Sequence, residues 1–116
     1  DGTCIRDYIH IEDIAEGHLK TLDFLNSNDN QIVFFNLGSG IGTSVLQLVR
    51  TFEKVNNVKI PFVFSDKRPG DEPISIADNS LMKKEINWAP QRNLLEMCKD
   101  GWTWNLSKKK LLNDLI

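Results

Sequence analysis

Residues 32–44 read Ile32-Val33-Phe34-Phe35-Asn36-Leu37-Gly38-Ser39-Gly40-Ile41-Gly42-Thr43-Ser44. An apolar run broken only by Asn36 leads into a glycine loop, and the loop leads into residues that can cap a helix. The run from Ile32 to Leu37 is expected to be a strand buried on both faces. Thr43 or Ser44 can cap the next helix, and Ser44 with Gln47 three residues on has the pattern of a capping box. Val45, Leu46, Leu48, Val49 and Phe52 then supply the apolar face of a helix that Asn56-Asn57 should end. Strand, glycine loop and helix in succession point to an α/β or mixed α+β fold.

The flanking segments follow the same alternation. Cys4 to Ile9 is β-rich and is expected to form a short strand. Glu12 and Asp13 suit a helix N-terminus, where the helix dipole is positive. Ile14, Ala15, His18, Leu19, Leu22, Phe24 and Leu25 carry that helix to about Asn26. Asn26 to Asn30 is a polar, turn-forming cluster. Downstream, Ile60 to Phe64 is expected to be a second buried strand and Ser65 to Glu72 a polar loop. Ile74 to Ala77 should be a brief extended piece, and Asp78 or Ser80 should cap a short helix through Ile86. Asn93 and Glu96 form a second capping-box pattern. It opens a last helix running to about Lys110 that should bury Leu95, Cys98, Trp102 and Leu106. So few strands would normally need others to complete their sheet. That, and a chain starting at Asp1 rather than Met, suggest a part of a longer protein.

Composition excludes several functions. The 116 residues are 41% hydrophobic and 26% charged, an ordinary balance for a single globular domain. A net charge of −2 offers no basic field for nucleic acid. Lys108-Lys109-Lys110 is read as a solvated helix terminus. The apolar runs are too short to cross a bilayer. Cys4 and Cys98 have no metal-ligand spacing and read as free thiols of a reducing, cytoplasmic compartment. His10 and His18 lack a third ligand for zinc. Tyr8 is followed four residues later by Glu12, so the Tyr-x-x-x-Lys pair of hydride chemistry is absent. No Ser-His-Asp or Cys-His arrangement has supporting context.

Binding is more legible than catalysis. Arg6 lies in a strand and Arg68 sits beside a Pro-Gly turn in Arg68-Pro69-Gly70-Asp71. Two guanidiniums from separate segments suit a diphosphate, because each planar fork matches phosphate oxygens in pairs. Asp71 can accept a ribose hydroxyl proton. Each residue also has a plainer reading. Arg6 can make a structural salt bridge with a distant carboxylate, though not with Asp7, which faces the other side of the strand. Arg68 can be merely solvated, and Asp71 can close its own turn. The loop Gly38-Ser39-Gly40-Ile41-Gly42 has the context of a phosphate site at a helix N-terminus. Its spacing is not that of the dinucleotide motif, and a tight strand-to-helix turn is the favoured reading.

The ordered motifs add a resemblance. Asp1 to His18 closely resembles the D-G-T-x-x-R-D-Y-I-H-V-x-D-L-A-x-G-H segment of UDP-glucose 4-epimerases. Phe35-Asn36-Leu37-Gly38-Ser39-Gly40 is similar to their Y-N-L-G-T-G, and Arg68-Pro69-Gly70-Asp71 to their R-x-G-D. Ala77-Asp78, Leu81, Lys84-Glu85 and Trp88 resemble a further shared run, as do Glu96-Met97-Cys98, Trp102 and Trp104 in the last helix. Tyr8-Ile9-His10 and Gly17-His18 favour epimerases over dehydratases or decarboxylases of nucleotide sugars. The resemblance implies the C-terminal, UDP-sugar-binding part of an extended short-chain dehydrogenase, residues 1–116, with a few strands and flanking helices. It places the NAD-binding Rossmann half outside this chain. It implies that Arg6 and Arg68 hold the UDP diphosphate, that Asp71 takes a ribose hydroxyl, and that Tyr8 and Ser75 line the sugar side of the site. It puts no catalytic and no cofactor-binding residue here, and no metal. The implied reaction interconverts UDP-glucose and UDP-galactose through a 4-keto intermediate, with NAD as cofactor in a homodimeric parent. Three other readings stay open: a non-catalytic nucleotide-binding module, a fragment of another nucleotide-sugar enzyme, and an interaction piece that self-associates through exposed sheet edges.

Overall fold

The computed structural model describes residues 1–28 and 32–113; of residues 109–113 only the backbone is described. Among the described residues seven elements follow one another. They are β1 (Ile5–Asp7), α1 (Ile11–Ser27), β2 (Gly42–Ser44), α2 (Val45–Asn56), β3 (Ile74–Ser75), α3 (Ser80–Ile86) and α4 (Leu94–Asn113). The three strands form one small sheet in the order β2-β1-β3. β2 pairs antiparallel to β1, with Arg6 opposite Thr43 and Asp7 opposite Gly42. β3 pairs parallel to β1, with Arg6 opposite Ser75. The mixed α/β class is as expected, with four helices around that sheet.

The helices form where local chemistry dictates. Ser44 caps α2 by accepting the Gln47 N–H at 3.0 Å, and Asn57 ends that helix in the left-handed conformation. At the start of α4 the capping box is reciprocal: the Asn93 carboxamide oxygen accepts the Glu96 N–H, and the Glu96 carboxylate accepts the Asn93 N–H. The cap of α1 is His10, whose Nδ1 accepts the Glu12 N–H at 3.1 Å. Its Nε2 therefore carries the proton and donates to the Asp100 carboxylate at 3.2 Å, joining α1 to α4. α3 has Asn79 at its cap position, and the Asp78 carboxylate accepts the Ser80 N–H.

Two expected strands are corrected. Neither Ile32–Leu37 nor Ile60–Phe64 joins the sheet. In the first, Val33, Phe35 and Leu37 turn toward α1, while Ile32 and Phe34 are 89% and 85% exposed. In the second, Val63 is 89% exposed. An extended segment becomes a strand only by pairing its backbone, and the described residues offer these two no partner. Leu95 and Leu106 on α4 are also about half exposed rather than buried, whereas Cys98 is buried as expected. The turn cluster expected at Asn26 to Asn30 lies partly outside the described residues.

Among the described residues the buried apolar side chains are few: Leu46, Met82, Trp88 and Cys98. Gly17 lets α1 approach closely, since a Cβ there would meet Leu37 at 2.4 Å and Trp88 at 3.2 Å. Asp13 on α1 is fully buried and held by Arg92, which donates from its backbone N–H at 3.0 Å and from Nη1 at 2.7 Å. The radius of gyration is 17.6 Å, against about 13 Å for a self-contained domain of this length. A thin core and exposed Ile, Phe and Val side chains are the marks of a unit that packs against something further.

Candidate functional site

Strand alternation on β1 separates two jobs. Arg6 faces one side and Asp7 the other, as the period of a strand requires. On the Arg6 side, Nη1 donates to the carbonyls of Ile5 and Glu72, both at 2.8 Å. These two bonds fix the guanidinium and leave Nη2 toward Asp71, 3.6 Å away. The residues that bring Asp71 there form a tight turn. The Asp71 N–H donates to the Arg68 carbonyl at 3.2 Å, Pro69 supplies its fixed φ, and Gly70 adopts φ +83°. That is a type II turn, and only glycine takes the third position without strain. The turn folds Arg68 back so that its Nε donates to Asp71 Oδ2 at 3.0 Å.

Arg6, Arg68 and Asp71 thus meet, although Arg6 and Arg68 lie in separate segments. Both guanidiniums reach one carboxylate, so they are close enough for one small anion to touch both. They line an open cleft of about 870 Å³ together with Tyr8, Phe64 and Lys67. Arg6 is partly buried, whereas Arg68 is 84% exposed and keeps its reach into the cleft. Four of the five sequence-derived site residues therefore share this cleft. Ser75 does not: it lines a neighbouring cleft of about 530 Å³ that shares Arg6 and includes Asn36 and Asp78. Arg6 and Ser75 are partners across β1 and β3, so the two clefts meet at that register.

On the other side of β1, the Asp7 carboxylate collects the glycine loop. It accepts the N–H and hydroxyl of Ser39, the N–H of Gly40 at 2.9 Å and the N–H of Ala77 at 3.2 Å. Burial alone would raise the Asp7 pKa, but these bonds outweigh it and hold the carboxyl below its ordinary value. The amides that a dinucleotide phosphate would need are therefore already used by Asp7. The loop is a turn, and these residues do not fit NAD. Sequence reasoning missed this role of Asp7, whose one legible signal was its opposition to Arg6. It also missed the buried Asp13–Arg92 pair. There burial again pushes the Asp13 pKa up, and hydrogen bonds from Arg92 more than reverse the shift.

The opening Asp1-Gly2-Thr3 is tied to α2, and Gly2 and Thr3 also line the cleft of Arg6 and Arg68. Thr3 Oγ1 accepts the Leu46 N–H at 3.1 Å, and Ser44 Oγ donates to Asp1, so both secure the start of α2. Cys4 and Cys98 are free thiols, and burial raises the Cys98 pKa. Among the described residues no group of three acidic, cysteine or histidine side chains could hold a metal ion. No described helix is long and apolar enough to cross a membrane.

The short mixed sheet with four flanking helices is a fold shared with solved extended short-chain dehydrogenases. No family model matches the chain. Among known proteins it is similar along nearly all its length to UDP-glucose 4-epimerases. That of Pasteurella multocida is 48% identical over 114 residues, 98% of this chain and 33% of the relative. That of Bacillus subtilis is 48% identical over 108 residues, 92% of this chain and 31% of the relative. The chain thus spans about a third of the length of the curated relatives it matches. Among solved structures, the Stenotrophomonas maltophila UDP-glucose 4-epimerase with bound NAD and formylated UDP-arabinopyranose superposes with a TM-score of 0.89. It has 40% identity, over 96% of this chain and 33% of that one. The Bifidobacterium longum UDP-glucose 4-epimerase in complex with NAD+ and UDP gives 0.84, with 34% identity, over 92% and 31%. The chain is therefore similar throughout to the C-terminal portion of UDP-glucose 4-epimerases, as the ordered motifs implied.

Proposed function

We propose that this chain is the UDP-gripping part of a UDP-glucose 4-epimerase acting on UDP-glucose and UDP-galactose. One observation carries the reading: Arg6 and Arg68, from separate segments, converge on one anion-sized position in a single cleft. A planar guanidinium meets phosphate oxygens two at a time, and a pair of them suits a diphosphate. Asp71 stands beside them as the acceptor for a ribose hydroxyl, and Tyr8 and Ser75 shape the space beyond. The Bifidobacterium longum relative crystallised with UDP supports this assignment. Held so, the nucleotide end contributes binding energy away from the reacting carbon and leaves the sugar free to turn.

No residue here is assigned to hydride transfer. When bound, NAD would accept and return that hydride, and the residues that hold it belong to a Rossmann half outside residues 1–116. The exposed apolar side chains of Ile32–Leu37 and Ile60–Phe64 support the need for such a half. The parent would be a cytoplasmic homodimer, a reading that rests on the resemblance and on the two free cysteines. The chain with NAD and UDP-galactose is expected to form no UDP-glucose. Exchanged for the aligned part of the Bacillus subtilis relative, it should restore turnover. A soluble, folded exchange protein with no epimerase activity would count against the reading.

A further inference from the structure

The cleft already holds an anion of its own. Asp71 Oδ1 lies 3.6 Å from Arg6 Nη2, and Asp71 Oδ2 lies 3.0 Å from Arg68 Nε. The two guanidiniums assigned to a diphosphate are bridged by this one carboxylate. We propose that Asp71 is an internal place-holder for the diphosphate, holding Arg68 beside Arg6 until a ligand displaces it. The inference rests on the UDP-gripping reading and adds to it how that site is gated.

The anchoring of the three groups is unequal. Arg6 is fixed without Asp71, through its bonds to the Ile5 and Glu72 carbonyls. Arg68 is 84% exposed, and its one ion pair among the described residues is with Asp71. Asp71 is itself set by the turn through its own N–H. The carboxylate therefore acts chiefly on Arg68. It also competes with any anion for the same donors and repels it by charge. Arg68 is too exposed for its ordering to outweigh these two effects. Displacement then frees the Asp71 oxygens, which makes the carboxylate available to a ribose hydroxyl only after the diphosphate has arrived. Affinity for a bare diphosphate and affinity for UDP should therefore respond differently to loss of this charge.

The test is calorimetric titration of the full chain with inorganic pyrophosphate and with UDP. Asp71→Asn should bind pyrophosphate roughly two- to fivefold more tightly, the scale of an exposed ion pair. It should not bind UDP more tightly, because its neutral amide is a weaker acceptor for the ribose hydroxyl. Asp66→Asn is the control. Asp66 lines the same cleft but makes no ion pair among the described residues, so its removal changes the charge alone. Equal gains in the two variants would reduce the effect to net charge and overturn the proposal, as would weaker pyrophosphate binding by Asp71→Asn. A second measurement needs no variant at Asp71. The Arg68 Nε–H resonance of the unsubstituted chain should shift when pyrophosphate is added, and an unmoved signal would overturn the displacement. If Arg6→Gln with Arg68→Gln leaves pyrophosphate affinity unchanged, the diphosphate reading itself fails and the inference falls with it. Loss in that double variant with equal gains at Asp71 and Asp66 would remove the inference alone.

Discussion

Replacing Asp7 by Asn tests how the site is held together. The Asp7 carboxylate accepts four hydrogen bonds, from Ser39 N–H, Ser39 Oγ, Gly40 N–H and Ala77 N–H. An Asn keeps the size but turns one oxygen into a donor, which then faces backbone N–H groups that have nowhere else to go. Bonds to a charged acceptor contribute about 1.5–3 kcal/mol each, and a partly exposed site sits at the low end. Losing one or two of them should destabilise the chain by about 1.5–3 kcal/mol. At this chain length that lowers Tm by roughly 10 °C. The pH dependence has a definite sign. The folded carboxyl titrates below its ordinary value, so its contribution is complete above the unfolded pKa, about 3.9 for aspartate. It is lost as pH falls through the lower folded value. The stability gap between the unsubstituted chain and the variant should therefore stay level near neutrality and shrink below about pH 4. Thermal melts from pH 7 to pH 3 measure it. Equal Tm at pH 7, or a gap that does not narrow in acid, would refute the reasoning.

Arg92→Met should cost about 3–5 kcal/mol in urea denaturation, because it leaves the fully buried Asp13 carboxylate without its counter-charge. Asn93→Ala should remove about 1 kcal/mol and fray the first turn of α4, visible as faster amide exchange at Leu95 and Glu96. Phe34→Asp should change the unfolding free energy of the chain, read from urea denaturation, by less than about 0.5 kcal/mol, since Phe34 is 85% exposed. The same substitution should impair the exchange protein built on the Bacillus subtilis relative, where Ile32–Leu37 is expected to be covered.

Helices were legible because their signals are local. Ser44 with Gln47 and Asn93 with Glu96 announce two helix starts within four residues each, and both caps form. Strands depend on partners that sequence does not name. Ile32–Leu37 and Ile60–Phe64 carry the composition of buried strands, yet pair with nothing described here. β2, only Gly42–Ser44, was hidden in a glycine loop because its pairing with β1, not its composition, makes it a strand. The candidate site divides the same way. Alternation on β1 correctly put Arg6 and Asp7 on opposite faces, and the Pro-Gly turn of residues 68–71 was visible from its residues alone. That Asp71 reaches across to Arg6, and that Asp7 occupies the amides of the Gly38–Gly42 loop, are long-range facts. Alternation marks Arg6 for a distant carboxylate and sets Asp7 on the opposite face, but it names neither partner. Asp13 and Arg92 are 79 positions apart and were missed for the same reason.

Arg6 is proposed to grip the diphosphate of a uridine nucleotide. Calorimetric titration of the chain and of Arg6→Gln with UDP measures that contact. Loss of a charge-assisted, bidentate contact should weaken binding roughly ten- to a hundredfold, with the far-ultraviolet dichroism unchanged. UDP affinity equal in the two proteins would contradict the claim.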